Sequence, residues 1–317
     1  MSLFIGLDLG GTNLKYALGT ETGEIIARFS KPSLADQNQE VVFENMFTAV
    51  DELLREAERR SEKVNAIGVG SPGCIDFKTG KLLGNAPNFD HWTNAPIKKN
   101  FEDRFNLPTY ADNDANLMAL AEARKGAGQK YNNLLCATLG TGIGGGIIIN
   151  NELYRGAHYS AAEIGHIVVE YGGKLCNCGN LGCLEAYAAA PAMVERYRRK
   201  LKRTGVMFNI DELSTEFIFQ KAKVNEDLAK ETIIETCDYL GVGLASIVNT
   251  IDPDIVILGG GVTEAGTEFI KRIEQVVKQY ALKSIAKKLQ VVKAELNLDA
   301  GIVGAILLAA ENFLKKG

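Results

Sequence analysis

One plan occurs twice in this chain, and nothing else restricts its fold so tightly: an apolar strand, a glycine turn, a second apolar strand. The first copy runs from Leu3–Leu9 through Asp8-Leu-Gly-Gly-Thr-Asn13 into Leu14–Gly19. The second runs from Leu134–Leu139 through Gly140-Thr-Gly-Ile-Gly-Gly-Gly146 into Ile147–Asn150. Such nearly unbroken apolar runs suit strands buried on both faces. After the first copy, Ile25–Phe29 and Val64–Val69 read as strands. Between them lies a helix over Glu40–Arg60, where Val42, Met46, Val50, Leu53 and Ala57 recur at three-and-four spacing. After the second copy, residues 191–250 read as helical. Ile255–Leu258 is then a strand entering Gly259-Gly260-Gly261, followed by a helix to Tyr280, a strand at Leu289–Ala294 and a last helix at Val303–Leu314. A repeated βββα plan predicts an α/β protein of two like lobes facing each other across a cleft. At 317 residues the chain is long for one core, which agrees. The expected partition is a small lobe over residues 1–113, completed by the C-terminal helix at about 301–317, and a large lobe over 114–300. The hinge would fall near Asp112–Asn116.

Charge and composition exclude several classes of partner. A net charge of −4 gives no electrostatic reason to expect nucleic acid or an anionic membrane. The N-terminus lacks a basic region and meets an acid at Asp8, unlike a secretory signal, and the apolar run Ile302–Ala310 is too short to span a bilayer. Reduced thiols and a metal set without an export signal point to the cytoplasm.

The most specific local pattern is a cluster of metal-ligand residues. Glu163-Ile-Gly-His166 is followed by Cys176-Asn-Cys178-Gly-Asn-Leu-Gly-Cys183-Leu-Glu185. Three thiolates and an imidazole make a closed tetrahedral set, which favours a structural Zn²⁺ on His166, Cys176, Cys178 and Cys183. A disulfide and inert thiols are the alternatives; Cys176 and Cys178 are too close in sequence to pair easily, and Cys74, Cys136 and Cys237 are scattered. The flanking Glu163 and Glu185 are not needed for the metal, so the loop looks built to hold two carboxylates in a polar pocket.

Each glycine turn can serve an anion. Asp8-Leu-Gly10-Gly11-Thr12 places a carboxylate beside two glycines and a hydroxyl, where backbone N–H groups can approach phosphate and the acid can hold Mg²⁺. Gly140, Gly142 and Gly145 formally spell G-x-G-x-x-G, but Ile147-Ile-Ile follows as strand, whereas a dinucleotide fingerprint opens a helix. A second phosphate cradle is the better reading. Gly259-Gly260-Gly261 follows a buried strand and is expected to open a helix, where its amides could meet a nucleotide. Between the lobes, Asp112-Asn113-Asp114-Ala-Asn116 offers two acids and an amide at a helix start. One acid could be only the N-cap; Asp114 is the better candidate for a base. Gly73, in the turn Ser71-Pro-Gly73, could lend a backbone contact, and Asn88 could face the cleft, although an Asn in such a loop is usually a turn former. His91 and His158 read as surface histidines.

Taken together, these segments resemble the ROK family (repressor, open reading frame, kinase), in family order over nearly the whole length. C-x-C-G-x-x-G-C-x-E with E-x-G-H is the specific part. The resemblance implies the actin-like ATPase fold of hexokinases and Hsp70, a homodimer, and ATP-dependent phosphorylation of a hexose. By resemblance, Asp114 is the catalytic base, and Asn113, Glu163, His166 and Glu185 are sugar contacts. Asp8, Gly10, Gly11, Thr12 and Asn13 form the first phosphate turn, Thr141 and Gly142 the second, and Gly260 and Gly261 the adenosine side. His166 would hold Zn²⁺ with one ring nitrogen and meet the sugar with the other. Glucose is the first expectation for the sugar, an N-acetylhexosamine such as N-acetylglucosamine or N-acetylmannosamine the second. A DNA-binding repressor is a remote third, because a strand beginning near Leu3 leaves no place for a preceding helix-turn-helix; a non-catalytic sugar sensor is a fourth.

Overall fold

The protein is described here as a computed structural model, which covers residues 2–84, 86, 89–205 and 208–315; Asn88 lies outside them. Ser2–Leu9 forms β1, with Leu3, Ile5, Leu7 and Leu9 all buried. Asn13–Thr20 (β2) returns antiparallel in the register Leu9↔Leu14, and Ile25–Pro32 (β3) extends the sheet antiparallel to β2. Gln39–Arg59 (α1) starts where the Asn38 side chain accepts from the Val41 N–H at 2.9 Å, a local cap for an otherwise orphan donor. Its apolar face buries Val42, Met46, Val50, Leu53 and Ala57 against the odd-numbered side chains of β1. Lys63–Ser71 (β4) then runs parallel to β1. A hairpin of Cys74–Asp76 (β5) and Lys81–Leu83 (β6) and the helix Ile97–Phe105 (α2) lead to Thr109–Asn113 (β7), which is parallel to β4. Asp114–Lys125 (α3) follows without a linker.

The second sheet repeats the plan. Leu134–Leu139 (β8) pairs antiparallel with Ile143–Ile149 (β9), and Glu152–Leu153 (β10) lies at the edge. The helices are Glu185–Ala188 (α4), Ala190–Thr204 (α5), Thr215–Lys223 (α6) and the long Asp227–Ile251 (α7). Ile255–Gly259 (β11) adds parallel to β8, Thr267–Tyr280 (α8) and Lys283–Ala286 (α9) follow, and Gln290–Lys293 (β12) closes the sheet parallel to β11. Strand orders β3-β2-β1-β4-β7 and β10-β9-β8-β11-β12 are the same order twice.

Ala300–Leu314 (α10) returns to the first sheet. Ile302 through Ala310 are all buried, which is why this helix is apolar all round. Glycines let it sit close. A Cβ on Gly68 of β4 would stand 1.9 Å from the Ala305 carbonyl oxygen, and one on Gly304 would stand 2.1 Å from the Leu117 carbonyl oxygen of α3. The chain divides into two compact units. One holds the residues up to Gln129, Leu153–Ala161 and those from Leu298 on; the other holds Lys130–Glu152 and Ala162–Asn297.

Two glycine segments differ from the sequence expectation. Gly144, Gly145 and Gly146 are not turn residues but lie inside β9, which starts at Ile143. At Gly145 other chain passes over the strand: a Cβ there would stand 2.5 Å from the Ala162 carbonyl oxygen and 2.8 Å from the Ile164 side chain. Gly259–Gly261 does not open α8 directly. Gly261–Ala265 makes a 3₁₀ turn, and Gly266, at φ +106°, breaks it before α8 begins.

Candidate active site

In the first unit, the β1–β2 turn is closed by a bond from the Gly10 N–H to the Asn13 carbonyl at 3.0 Å, leaving Gly11, Thr12 and Asn13 exposed. Ser33 steadies the turn by donating its N–H to the Thr12 carbonyl and its hydroxyl to the Gly11 carbonyl, each at 3.0 Å. Asp8, at the end of β1, is folded against the first turn of α10: a Cβ on Gly301 would stand 2.3 Å from its Oδ2. Burial pushes the Asp8 carboxyl above its ordinary range, and Lys15 pulls it partly back.

Asp114 is the first residue of α3, and the cap is neither of the acids. The Asn113 side chain accepts from the N–H groups of Ala115 (2.9 Å) and Asn116 (3.2 Å), while its own Nδ2 donates to the Gly73 carbonyl at 3.1 Å. Gly73 therefore uses its carbonyl on Asn113, at a φ of +88° that favours glycine. Asp112 is almost wholly buried and accepts from the Asn113 N–H (2.8 Å), the Asn116 Nδ2 (2.9 Å) and the Arg155 Nε (2.7 Å). The Arg155 guanidinium in turn lies 3.8 Å from the centre of the Phe77 ring.

In the second unit, the β8–β9 turn takes the same place between its strands as the β1–β2 turn but is one residue shorter. The Gly140 N–H donates to the Gly142 carbonyl at 3.0 Å, and Thr141 is exposed. Glu185 opens α4 and reaches this turn: its Oε2 accepts from the Ile143 N–H at 2.8 Å and lies 2.6 Å from where a Gly142 Cβ would be. Gly260 combines φ +89° with an approach in which a Cβ would stand 2.4 Å from the Leu139 carbonyl oxygen, whereas nothing lies within 4 Å of a Cβ on Gly261. A cavity of about 460 Å³ is walled by Phe219 and Ala222 of α6, Ile233 of α7, Ala265 and Phe269 of α8, with Lys, Arg and Glu side chains also lining it.

The Cys/His loop folds as a small irregular hairpin, with isolated bridges Val168↔Cys183 and Leu175↔Leu181. Gly179 (φ +90°) and Gly182 (φ +81°) make its tight bends, and the Cys176 N–H donates to the Asn180 carbonyl at 2.8 Å. At its base the Tyr187 hydroxyl accepts from the Lys174 N–H at 2.6 Å, and the Tyr187 ring stacks on Tyr239 with centroids 4.5 Å apart. Ligand atoms of His166, Cys176, Cys178 and Cys183 all lie within 4.8 Å of one another. Cys178 and Cys183 sulfurs are 3.7 Å apart, as are the Cys176 sulfur and the His166 Nδ1. A tetrahedral zinc with Zn–S bonds of about 2.3 Å spaces its sulfurs about 3.8 Å apart, so the donor set fits that ion. A disulfide does not fit, since its sulfurs stand about 2.05 Å apart; all six cysteines are free. Burial and the neighbouring sulfurs push the Cys183 thiol up to about 12. Glu163 heads the 3₁₀ turn Ile164–His166 and so travels with the ligand His166.

The exposed positions of His91 and His158 agree with the surface reading. Arg155 and Phe77 were not legible as site residues: an arginine paired 43 residues away leaves no spacing signal. No helix among the described residues is long and apolar enough to cross a membrane.

Two five-stranded sheets of one strand order, each with an exposed glycine–threonine turn at its central hairpin, define the actin-like ATPase fold. The ROK family profile matches residues 4–312, and the chain belongs to that family. It is 34% identical to a glucokinase of Halalkalibacterium halodurans, over 99% of this chain and 97% of that one. It is 31% identical to a xylose repressor of Caldicellulosiruptor bescii, over 98% of this chain and 78% of that one. Among solved structures, it superposes with a TM-score of 0.83 on a ROK family glucokinase from Streptomyces griseus in complex with glucose and AMPPNP. That pair is 34% identical, with 98% of this chain and 99% of that chain covered.

Proposed function

We propose that this protein is an ATP-dependent hexose kinase that converts glucose to glucose 6-phosphate. The observation that carries this reading is the pair of exposed glycine–threonine turns at equivalent places in the two sheets, Gly10–Asn13 and Gly140–Gly142, with Asp8 beside the first. Backbone N–H groups of two such turns suit the charge of transferring phosphate oxygens. Mg²⁺ held through Asp8 would neutralise the β- and γ-phosphates. Asp114 orients the sugar hydroxyl and accepts its proton as the oxygen attacks in line. Asn113, Glu163, His166 and Glu185 bind the remaining hydroxyls, with the Gly73 backbone close to Asn113. Gly260 and Gly261 receive the nucleotide, and the apolar cavity beside Ala265 receives its base.

His166, Cys176, Cys178 and Cys183 would hold Zn²⁺, whose contribution is structural: it fixes the loop that carries Glu185. With Nδ1 toward the sulfurs, the His166 Nε2 is left for a sugar hydroxyl. The hinge at Asp112–Asn116 and a homodimer belong to the same reading. Glucose, ahead of an N-acetylhexosamine, is supported by the glucokinase relative that the chain matches over almost the full length of both. The xylose repressor favours a second reading, a sugar sensor without turnover.

A coupled ADP-release assay with MgATP against a panel of hexoses and N-acetylhexosamines decides between them. The kinase reading expects glucose to give the highest kcat/KM. Sugar binding without ADP release from any sugar would leave the sensor.

A further inference from the structure

We infer that Arg155 is a positioning residue for Asp114, acting through the buried carboxylate of Asp112. The inference rests on the reading of Asp114 as the base. Asp112 bonds on both sides of Asp114 along the chain: to the backbone N–H of Asn113 just before it and to the side-chain amide of Asn116 two residues after it. The Asn116 Oδ1 is buried with no donor, so the orientation of that amide depends on its single side-chain bond to Asp112. This carboxylate thus ties both flanks of Asp114 beside the Asn113 cap, and Arg155 completes it with a charge-assisted bond at 2.7 Å.

Removing one partner of a buried ion pair leaves the other uncompensated, which is strongly destabilising. The Arg155 side chain is 19% exposed and that of Asp112 2%, so water is a poor substitute for the guanidinium. Phe77, in the β5–β6 hairpin, stacks on the guanidinium plane and selects arginine over lysine. Arg155 also lies on the segment Leu153–Ala161, where the chain leaves the second unit and rejoins the first. Glu163 comes eight residues later and His166 eleven. The residue that fixes the base is therefore on the same strand of chain as two proposed sugar contacts.

The test compares Arg155→Met, Arg155→Lys and Asp112→Asn in the full-length protein, alone and on an Asp114→Asn background. Displacing a reacting group by about 1 Å costs on the order of 100-fold in rate, so Arg155→Met should lower kcat by about that factor with KM for ATP unchanged. Arg155→Lys, which keeps the charge without the planar fork, should recover part of the loss. On the Asp114→Asn background, Arg155→Met should cause no further loss. Equal factors on both backgrounds, or wild-type kcat in Arg155→Met, would overturn the inference. Should Arg155→Met not fold, Asp112→Asn carries the same comparison with the side-chain shape retained. Turnover surviving in Asp114→Asn itself would instead remove the base assignment, a result separate from either of these.

Discussion

Gly301→Ala should separate catalysis from stability in a way that no surface substitution would. Gly301 lies in the first turn of α10, and an added Cβ would stand 2.3 Å from Oδ2, 2.5 Å from Cγ and 2.9 Å from Oδ1 of Asp8. Ordinary contact needs about 3.4 Å, so the carboxylate must retreat by about 1 Å. It can do so cheaply, because it is the end of a side chain with two free torsions. Replacing a helical glycine by alanine gains about 1 kcal/mol, and moving a carboxylate off a helix N-terminus loses about 0.3–1 kcal/mol. The two nearly cancel, so Tm should move by no more than about 3 °C. The rate has no such compensation. If Asp8 orients the metal-bound phosphates, a displacement of about 1 Å should cost roughly 100-fold in kcat/KM for MgATP. Gly304→Ala, one turn on, is the control of opposite character. There the Cβ would meet backbone, 2.1 Å from the Leu117 carbonyl oxygen, which no torsion relieves, and about 1–3 kcal/mol or more of stability should be lost. Thermal melts and steady-state kinetics on both variants decide it. A Gly301→Ala protein with wild-type kinetics would refute the placement of Asp8 beside the phosphates; one that melts as low as Gly304→Ala would refute the claim that the carboxylate can yield.

Asp114→Asn should lower kcat by about 10³, within the usual range for a general base, while glucose affinity measured by calorimetry stays within a few-fold; retained turnover would remove the role. Metal analysis should find about one zinc per chain, and stripping it should lower Tm and abolish glucose binding together; a zinc-free protein with full activity would contradict the site. Asp8→Asn should raise Tm at pH 7 while removing activity. Burial raises the Asp8 pKa above its ordinary 3.8. As the pH climbs past that value the unfolded chain releases a proton that the folded chain retains, and stability falls until the folded group ionises as well. A Tm for Asp8→Asn below wild type at pH 7 would reverse that sign.

Much of the framework can be read from spacing alone. The buried runs of β1 and β8, the three-and-four pattern of α1 and the Cys/His cluster declare themselves because each is a local regularity. Other features depend on contacts between distant segments, and these leave no such mark. Gly144–Gly146 looks like turn composition, yet lies inside β9, with Gly145 bare under Ala162 and Ile164. The helix α2 was not apparent, since only Ile97 and Phe101 of its nine residues are buried, with Lys-Lys-Asn between them. At Asp112-Asn113-Asp114 the sequence offers three capping candidates within three residues. The amide takes the role because Asp112 is turned inward to Arg155, a pairing visible only once the chain has folded.

Glu185 stands at the junction of two proposed tasks, since the carboxylate proposed to touch the sugar also accepts the Ile143 N–H beside Gly142 of the proposed phosphate turn. On that proposal the two ligands do not bind independently. Whatever factor glucose adds to the affinity for MgATP, MgATP must add to the affinity for glucose, because both lead to the same ternary state. Nucleotide bound in the absence of sugar would meet a turn whose anchoring carboxylate lacks its second partner. The same bond would thereby make the enzyme a poor ATPase when glucose is scarce, which protects the cell's nucleotide pool from idle hydrolysis.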